Sequence, residues 1–211
     1  MSTGQAGAES SAGAPSGLPE AGQRGVGPGP WRRLLAAGAG RLGAADQALY
    51  AAVAASPTPW LDEPARRLSR AANFSRLWLA IAAGIAVLGG PDGRRAALRG
   101  VVAVGATSAT VNIGVKTIGP RPRPDRAGAH VPAARLVAMP SSGSFPSGHS
   151  ASGFAFACCV GASLPRAAAP LLGLAAAVAY SRVYTGVHFP GDVIVGSLIG
   201  AAIGRAVARW P

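Results

Sequence analysis

Five apolar stretches without a formal charge most constrain how this 211-residue chain can fold. They cover residues 77–91, 100–115, 150–165, 167–181 and 193–204. Each is shorter than the roughly 20 residues of an ideal membrane-spanning helix, but basic side chains at its ends can reach the bilayer interface and lengthen it. A soluble helical bundle with buried, alanine-rich helices is the alternative, and it would leave little polar surface for water. The stretches therefore predict membrane helices.

A sixth stretch, residues 34–55, is a poorer candidate because Arg41 and Asp46 interrupt it. It is expected to form a tilted first span or an interfacial helix. The small residues of the apolar runs favour close helix packing, most visibly where glycine recurs at every fourth position from Gly196 to Gly204. The predicted fold is all-α, an integral membrane bundle of about six transmembrane helices.

The first 30 residues differ in composition from the rest of the chain. They are rich in glycine, alanine, serine and proline, with almost no bulky apolar side chain. Such a segment cannot bury enough surface to order itself, so we expect a disordered tail, residues 1–30, and one membrane domain, residues 31–211.

The net charge of +12 comes from 19 arginines and one lysine against 8 acidic residues. A nucleic-acid binder would gather its basic residues on one face. Here they lie in small groups at the ends of apolar segments, a pattern that is typical of membrane anchoring. We therefore expect the lipid bilayer, and no nucleic acid, as a partner.

Three short blocks in the second half of the chain carry the residue types of phosphate chemistry. The blocks are Lys-x6-Arg-Pro (Lys116, Arg123, Pro124), Pro-Ser-Gly-His (Pro146, Ser147, Gly148, His149) and Ser-Arg-x5-His-x3-Asp (Ser181, Arg182, His188, Asp192). If six spans start inside, the predicted loops alternate between the inner side, at 91–97 and 165–168, and the outer side, at 56–75, 116–148 and 182–191. All three blocks then lie at the same membrane face, as one active site requires.

The cations of these blocks suit a phosphoryl group, whose charged oxygens need preorganised donors during transfer. Lys116, Arg123 and Arg182 can supply them, arginine as a two-pronged donor and lysine as a point charge. Ser147 and Gly148 lie where a helix could begin, and the free N–H groups of a first helical turn favour an anion. These five residues are expected to bind phosphate.

The two histidines of the blocks need different roles. His188 and Asp192 would share one face if their segment is helical, and a carboxylate bonded to one ring nitrogen leaves the other free to attack phosphorus. His149 would then be the general acid for the leaving oxygen and the base for the water that releases phosphate. No metal or other cofactor is implied, because one aspartate cannot hold Mg²⁺ as such sites need.

The order and spacing of the blocks resemble the signature of the type 2 phosphatidic acid phosphatase superfamily, which also includes bacterial acid phosphatases and vanadium haloperoxidases. Every fixed position is present between residues 116 and 192, and the six-residue gap selects Arg123 over the preceding Arg121. The resemblance implies the same roles for the histidines, the aspartate, the three cations and the Ser-Gly pair. Residues 69–80 are also similar to the phosphatase half of actinobacterial proteins that fuse this domain to a lipid kinase.

The resemblance implies metal-independent hydrolysis of a phosphate monoester or diphosphate on a membrane lipid through a phospho-histidine intermediate. Phosphatidic acid, phosphatidylglycerol phosphate, polyprenyl diphosphates and a polyprenyl-phosphosugar phosphate all fit. The site is expected on the extracytoplasmic face of a bacterial plasma membrane, although both sides are equally basic and charge alone does not decide the orientation. A vanadate-dependent haloperoxidase, a type whose members are soluble and larger, and a catalytically idle membrane scaffold are the alternatives.

Overall fold

The computed structural model describes residues 30–115 and 121–210. The chain divides into two compact units, residues 1–38 and 39–211, and the motif blocks belong to the second. Of the first unit only the start of a helix is described. The predicted disordered tail therefore lies almost wholly outside the described residues and stays a prediction, and Lys116 lies outside them as well.

The described residues contain seven α-helices. In chain order these are α1 (Pro30–Ala54), α2 (Pro59–Ala71), α3 (Arg76–Leu88), α4 (Gly90–Ala109), α5 (Gly148–Ser163), α6 (Pro165–Tyr184) and α7 (Pro190–Ala208). A π-helical turn, Thr110–Val115, continues α4, and short 3₁₀ turns occupy Asn73–Ser75 and Ala133–Arg135. All six apolar stretches lie in or largely within helices, so the predicted all-α architecture is confirmed.

By length and apolar composition, three helical segments can cross a membrane: α4 with its π turn, α6 and α7. A fourth crossing results if α2 and the segment Asn73–Leu88, which are bent by 65° relative to each other, form one broken span. The described residues thus hold three or four candidate spans where the sequence suggested about six. The difference arises because α5 has only 16 residues and α1 carries charged side chains.

The connection between α3 and α4 is shorter than expected. The sequence predicts a loop at residues 91–97, but these residues form the first two turns of α4. Gly90 adopts φ +62°, a left-handed conformation that glycine tolerates, and it is followed by Pro91 and Asp92, which suit a first helical turn. The polar residues that indicated a loop are the exposed start of a helix.

The glycine repeat of α7 brings that helix into backbone contact with α5, the helix at the centre of the bundle. A Cβ atom on Gly200 would lie 2.0 Å from the carbonyl oxygen of Ala151, and one on Gly196 would lie 2.4 Å from that of Ser147. The two helices run parallel in this register, so their N-termini lie side by side. The Ser147 N–H donates to the Asp192 carbonyl oxygen at 2.9 Å, which joins the second and third motif blocks directly.

A buried guanidinium fixes the long connection between α4 and α5 to the helices. Arg135 donates to the Asp62 carboxylate of α2 at 2.8 Å and to three backbone carbonyl oxygens at and just beyond the C-terminus of α1. The ring of Tyr184 lies 4.2 Å from the guanidinium, and its hydroxyl donates to Asp62. Because each nitrogen of the guanidinium donates a hydrogen bond and Asp62 balances its charge, the ion pair can be buried without leaving an uncompensated charge. It anchors the connection that contains Arg123.

Candidate active site

A cavity of about 500 Å³ opens at the end of the bundle where α5 and α7 begin. Its walls include Arg123, His149 and His188, one side chain from each motif block. The turn between α2 and α3, the C-terminal part of α4 and residues of the α4–α5 connection complete the lining. In the part of the chain that the structure describes, no three histidine, cysteine, aspartate or glutamate side chains are grouped to hold a metal ion.

His188 lies in the short loop before α7 and is 1% exposed. Pro190 occupies the first turn of α7, as its position in the sequence indicates, and Asp192 follows in the same turn. Only Asp192 is helical, so the pair does not share a helix face, but the loop still brings His188 Nδ1 within 3.5 Å of Asp192 Oδ2. The other ring nitrogen, Nε2, lies 3.4 Å from Nη1 of Arg123.

The carboxylate of Asp192 is completely buried and receives hydrogen bonds from three sides. The Ser144 hydroxyl and the Phe189 backbone N–H donate to Oδ2, and Arg121 Nη1 donates to Oδ1 at 2.8 Å. Hydrogen bonds and a cation of this kind favour the ionised form. Asp192 is therefore suited to hold a proton on Nδ1 of His188.

Arg121 links this carboxylate to α1. Its Nη2 donates to Asp46 Oδ2 at 2.7 Å, and Asp46 Oδ1 accepts from the Gly191 N–H at 2.6 Å. Burial acts to lower the pKa of Arg121, but Asp46 and Asp192 outweigh it and raise that pKa. The aspartate that interrupts the apolar run of α1 thus anchors the first turn of α7.

The surroundings of His188 keep its ring neutral. Burial lowers the pKa of His188 to about 4; Asp192 acts in the opposite direction, and the cations Arg182 and Arg123 reinforce the effect of burial. At neutral pH the imidazole is uncharged and one nitrogen carries a lone pair. With Nδ1 directed at Asp192, that lone pair is on Nε2, beside Arg123.

Backbone carbonyl groups fix the guanidinium of Arg123. It donates to the carbonyl oxygens of Val187 at 2.7 Å, Ser142 at 3.0 Å and Gly143 at 3.2 Å. Burial lowers the pKa of Arg123, but a guanidinium remains a cation at neutral pH. A positive charge is therefore held next to the lone pair of His188, where it can bind the oxygens of a phosphoryl group.

The Ser-Gly pair of the second block contributes through the backbone. Gly148 begins α5 and lines the cavity, so the N-terminal turn of that helix opens on it. The hydroxyl of Ser147 is buried and accepts from both the N–H and the hydroxyl of Ser150, which makes it the N-cap of α5. The cap uses the oxygen of this hydroxyl as an acceptor, so its predicted role in phosphate binding, which needs the O–H as a donor, stays a prediction.

Arg182 lies behind the cavity rather than on its wall. It is 2% exposed and donates to the backbone and hydroxyl oxygens of Ser69, while its Nε has no partner among the described residues. Its carbonyl oxygen accepts from the His188 N–H at 3.2 Å, so its backbone is adjacent to the loop that carries His188. Its charge acts on His188, where it helps to lower the pKa of the ring.

His149 is the second residue of α5, half-buried, and lines the cavity. Its Nε2 lies 2.9 Å from the side-chain oxygen of Asn73. Asn73 belongs to the turn between α2 and α3, outside all three motif blocks.

Asn73, Arg121 and Ser144 contact predicted site residues, and Asp46 reaches Asp192 through Arg121, but none of these four was among the sequence-based candidates. Two of them carried a signal, since an acidic residue inside an apolar run needs a buried partner and Arg-Pro-Arg-Pro places two cations in one loop. Serine and asparagine gave no such signal, because they are ordinary turn residues.

Residues 96–211, more than half of the chain, match the family model described as the PAP2 superfamily. The chain belongs to the PAP2 superfamily. It is also 34% identical, over 154 residues, to the decaprenylphosphoryl-5-phosphoribose phosphatase of Mycobacterium tuberculosis, a match that covers 71% of this chain and 80% of the relative. The predicted family is therefore confirmed.

Two solved structures share the fold. The transmembrane PAP2-type phosphatidylglycerolphosphate phosphatase of Bacillus subtilis matches with a TM-score of 0.63 and 27% identity over 79% of this chain and 84% of its own. LpxE of Aquifex aeolicus matches with a TM-score of 0.62 and 25% identity over 78% of this chain and 94% of its own. This PAP2 protein is an integral membrane protein and a lipid phosphatase, as the sequence predicts.

Proposed function

We propose that this PAP2 protein hydrolyses a phosphate monoester or diphosphate on a membrane lipid, without a metal, through a phospho-histidine on His188. The observation that carries the proposal is the guanidinium of Arg123, 3.4 Å from Nε2 of His188, on a cavity that His149 also lines. A fixed cation beside the lone pair of a neutral imidazole attracts an anionic electrophile to that nitrogen.

In the first step, the lone pair of His188 Nε2 attacks phosphorus, and the bond between phosphorus and the lipid oxygen breaks. The electron pair of that bond passes to the leaving oxygen, which takes a proton from His149. The imidazole becomes positively charged, and the Asp192 carboxylate stabilises that charge through Nδ1–H. Arg123 and the first turn of α5 at Gly148 bind the phosphoryl oxygens.

In the second step, water attacks the phosphoryl group while His149 takes its proton. The phosphorus–nitrogen bond breaks, its electron pair returns to Nε2 of His188, and inorganic phosphate leaves. Lys116, Arg182 and Ser147 complete the proposed phosphate-binding set, Ser147 through its place at the start of α5.

The relatives guide the choice of lipid. One relative is named as a phosphatase of decaprenylphosphoryl-5-phosphoribose, and another as a phosphatase of phosphatidylglycerolphosphate. We rank a polyprenyl-phosphosugar phosphate first, because the mycobacterial relative is 34% identical to this chain and the Bacillus protein 27%. Phosphatidylglycerol phosphate, phosphatidic acid and polyprenyl diphosphates follow.

We further infer that the site faces away from the cytoplasm of a bacterial plasma membrane. The described motif residues lie at one end of the parallel helices α5 and α7, which supports a single membrane face, and the orientation follows from the family resemblance. Intact cells that express the protein should release phosphate from a short-chain, impermeant substrate in the medium. Release only after the cells are permeabilised would contradict the orientation.

The activity is tested by phosphate release from the four lipids in detergent. We expect turnover of at least one lipid in the presence of EDTA, inhibition by orthovanadate and loss of turnover in His188→Ala. Strict dependence on Mg²⁺ would contradict the mechanism, and bromide oxidation switched on by vanadate would favour the haloperoxidase. Unchanged lipid turnover in His188→Ala would exclude the proposed nucleophile.

A further inference from the structure

The turn between α2 and α3 reaches into the active-site cavity although it belongs to no motif block. Asn73, Phe74 and Ser75 all line the cavity, and Asn73 places its side-chain oxygen 2.9 Å from Nε2 of His149. The same segment makes a second contact with a predicted site residue, because the Ser69 hydroxyl at the end of α2 accepts a hydrogen bond from Arg182. Residues 69–75 therefore contact one residue of the second block and one of the third.

The backbone of this turn is strained. Phe74 and Ser75 are consecutive non-glycine residues with φ of 54° and 58°, in the left-handed region that L-residues rarely adopt. Phe74 is at the same time strongly exposed, so burial of its ring does not compensate for the conformation. Strain of this kind persists where the surrounding structure holds it, and it is concentrated at functional sites. The conformation brings Asn73 against His149 at the 65° bend between the two helical segments.

The chemistry of the contact determines which nitrogen of His149 can exchange a proton. An amide oxygen only accepts, so Nε2 of His149 carries the hydrogen of this bond. The proton that His149 gives and takes back is then the one on Nδ1. Among the described residues that line the cavity, the charged or titratable groups besides His149 are Arg123 and His188, and Asp192 and Arg182 act on His188.

We propose that Asn73 is a positioning residue, whose side-chain oxygen fixes the tautomer and ring orientation of His149 so that Nδ1 serves the leaving oxygen and the attacking water. The inference rests on the proposed acid–base role of His149. This role accounts for one residue of the stretch 69–80, which lies outside the three motif blocks.

The test compares two substrates that differ in their need for a general acid. A lipid phosphate leaves as a poor alkoxide and needs the proton, whereas p-nitrophenyl phosphate leaves as a stable phenolate and needs it little. Asn73→Leu should lower kcat/KM for the lipid phosphate by roughly 10-fold to 100-fold, and that for p-nitrophenyl phosphate by much less. Gln47→Leu, which removes an exposed amide of α1 outside the cavity, is the matched control and should leave both values unchanged.

Asn73→Asp retains an oxygen acceptor and adds a charge. It should keep most of the lipid phosphatase activity and move the alkaline limb of the pH–rate profile to higher pH, because a carboxylate stabilises the protonated ring. A merely structural role would not move that limb.

The outcomes separate this inference from the proposed function. Equal losses for both substrates in Asn73→Leu, or a pH profile of Asn73→Asp that superimposes on that of the wild type, would overturn the positioning role. If His149→Ala itself retains wild-type kcat/KM for the lipid phosphate, the proposed acid–base function fails. If His149→Ala is impaired while Asn73→Leu is not, only the inference about Asn73 is wrong.

Discussion

His188 and His149 share one cavity but differ in their surroundings. His188 is buried and held by charged groups: Asp192 at one nitrogen, Arg123 at the other, and Arg121 behind the carboxylate. His149 is half-buried, and its Nε2 lies 2.9 Å from the side-chain oxygen of Asn73.

The difference matches what each ring must do. A nucleophile must stay neutral and keep its lone pair directed at phosphorus, and burial achieves the first while the carboxylate achieves the second. The proposed acid–base group must gain and lose a proton in every turnover, and a hydrogen bond at Nε2 orients its ring for that exchange. In the proposed mechanism, the surroundings of the two rings therefore suit the same residue type to two different roles.

The largest expected effects come from removing the rings. His188→Ala should lower kcat/KM by about 10³-fold or more for lipid phosphate and p-nitrophenyl phosphate alike, because both need the nucleophile. His149→Ala should cost about 10²-fold or more with the lipid phosphate and clearly less with p-nitrophenyl phosphate. Equal losses for the two substrates in His149→Ala would mean that His149 does not act as the general acid for the leaving oxygen.

A second comparison concerns the charged groups around His188. Asp192→Asn should lower kcat/KM by roughly 10²-fold, because the amide can present either an oxygen or an NH₂ group to Nδ1. Asp46→Asn leaves Asp192 in place and weakens the outer contacts of Asp46 with Arg121 and the Gly191 N–H, so it should cost about 10-fold or less. Steady-state kinetics of both variants check the order, and a larger loss in Asp46→Asn would show that Arg121 does not act through Asp192.

Arg123→Lys should lower kcat/KM by about 10-fold, because a point charge replaces a fork that three carbonyl groups fix. The inhibition constant of orthovanadate should rise in parallel, since the same cation binds the phosphate analogue. Arg166→Lys, at the exposed start of α6, is the control and should change neither quantity. Weaker activity with unchanged vanadate inhibition would assign Arg123 to the fold rather than to phosphate binding.

The hydrogen bond from Arg182 to the Ser69 hydroxyl, behind the cavity, should contribute less to activity than the contacts of Arg123. Ser69→Ala removes the hydroxyl that accepts from Arg182 but leaves the backbone oxygen of Ser69 in place. We expect a loss of a few-fold in kcat/KM, about 1 kcal/mol, the usual contribution of one hydrogen bond. A loss as large as that of Arg123→Lys would mean that Arg182 contributes more directly than its buried position indicates.

A pH titration of His188 reports how strongly burial keeps its ring neutral, and it requires no change of the protein's activity at neutral pH. Its pKa of about 4 lies below the ordinary value near 6.5, so the ring stays neutral until the pH falls through about 4. The unfolded chain binds the proton earlier, so this residue's contribution to stability also decreases as the pH falls from 6.5 towards 4. Imidazole NMR signals assigned with His188→Ala give the midpoint, and a midpoint near 6.5 would contradict the neutral, buried nucleophile.

The sequence predicts those features that depend on composition and on fixed spacing along the chain. Uncharged apolar runs predict the helices because a bilayer or a core is their stable environment, and the glycine repeat predicts close helix packing, which the structure shows between α7 and α5. The start of α5 at Gly148 and the place of Pro190 in the first turn of α7 follow from local helix chemistry.

Contacts between distant segments are not encoded in this way. Asp46 meets Arg121 across 75 residues and Asn73 meets His149 across 76, and neither separation is a period of any secondary structure. The Ser147 hydroxyl shows a second limit, because a serine before a helix can accept hydrogen bonds as its cap and can also donate its O–H elsewhere, and the sequence does not show where that O–H is directed.

Trapping the covalent intermediate tests whether His188 is the nucleophile. The wild type, His149→Ala and His188→Ala would be mixed with p-nitrophenyl phosphate, quenched in alkali, in which phospho-histidine survives, and mapped by mass spectrometry. We predict phosphate on His188 in the wild type, more of it in His149→Ala because the water that clears it lacks its base, and none in His188→Ala. Turnover without a phosphorylated His188, or phosphate on another residue, would exclude His188 as the proposed nucleophile.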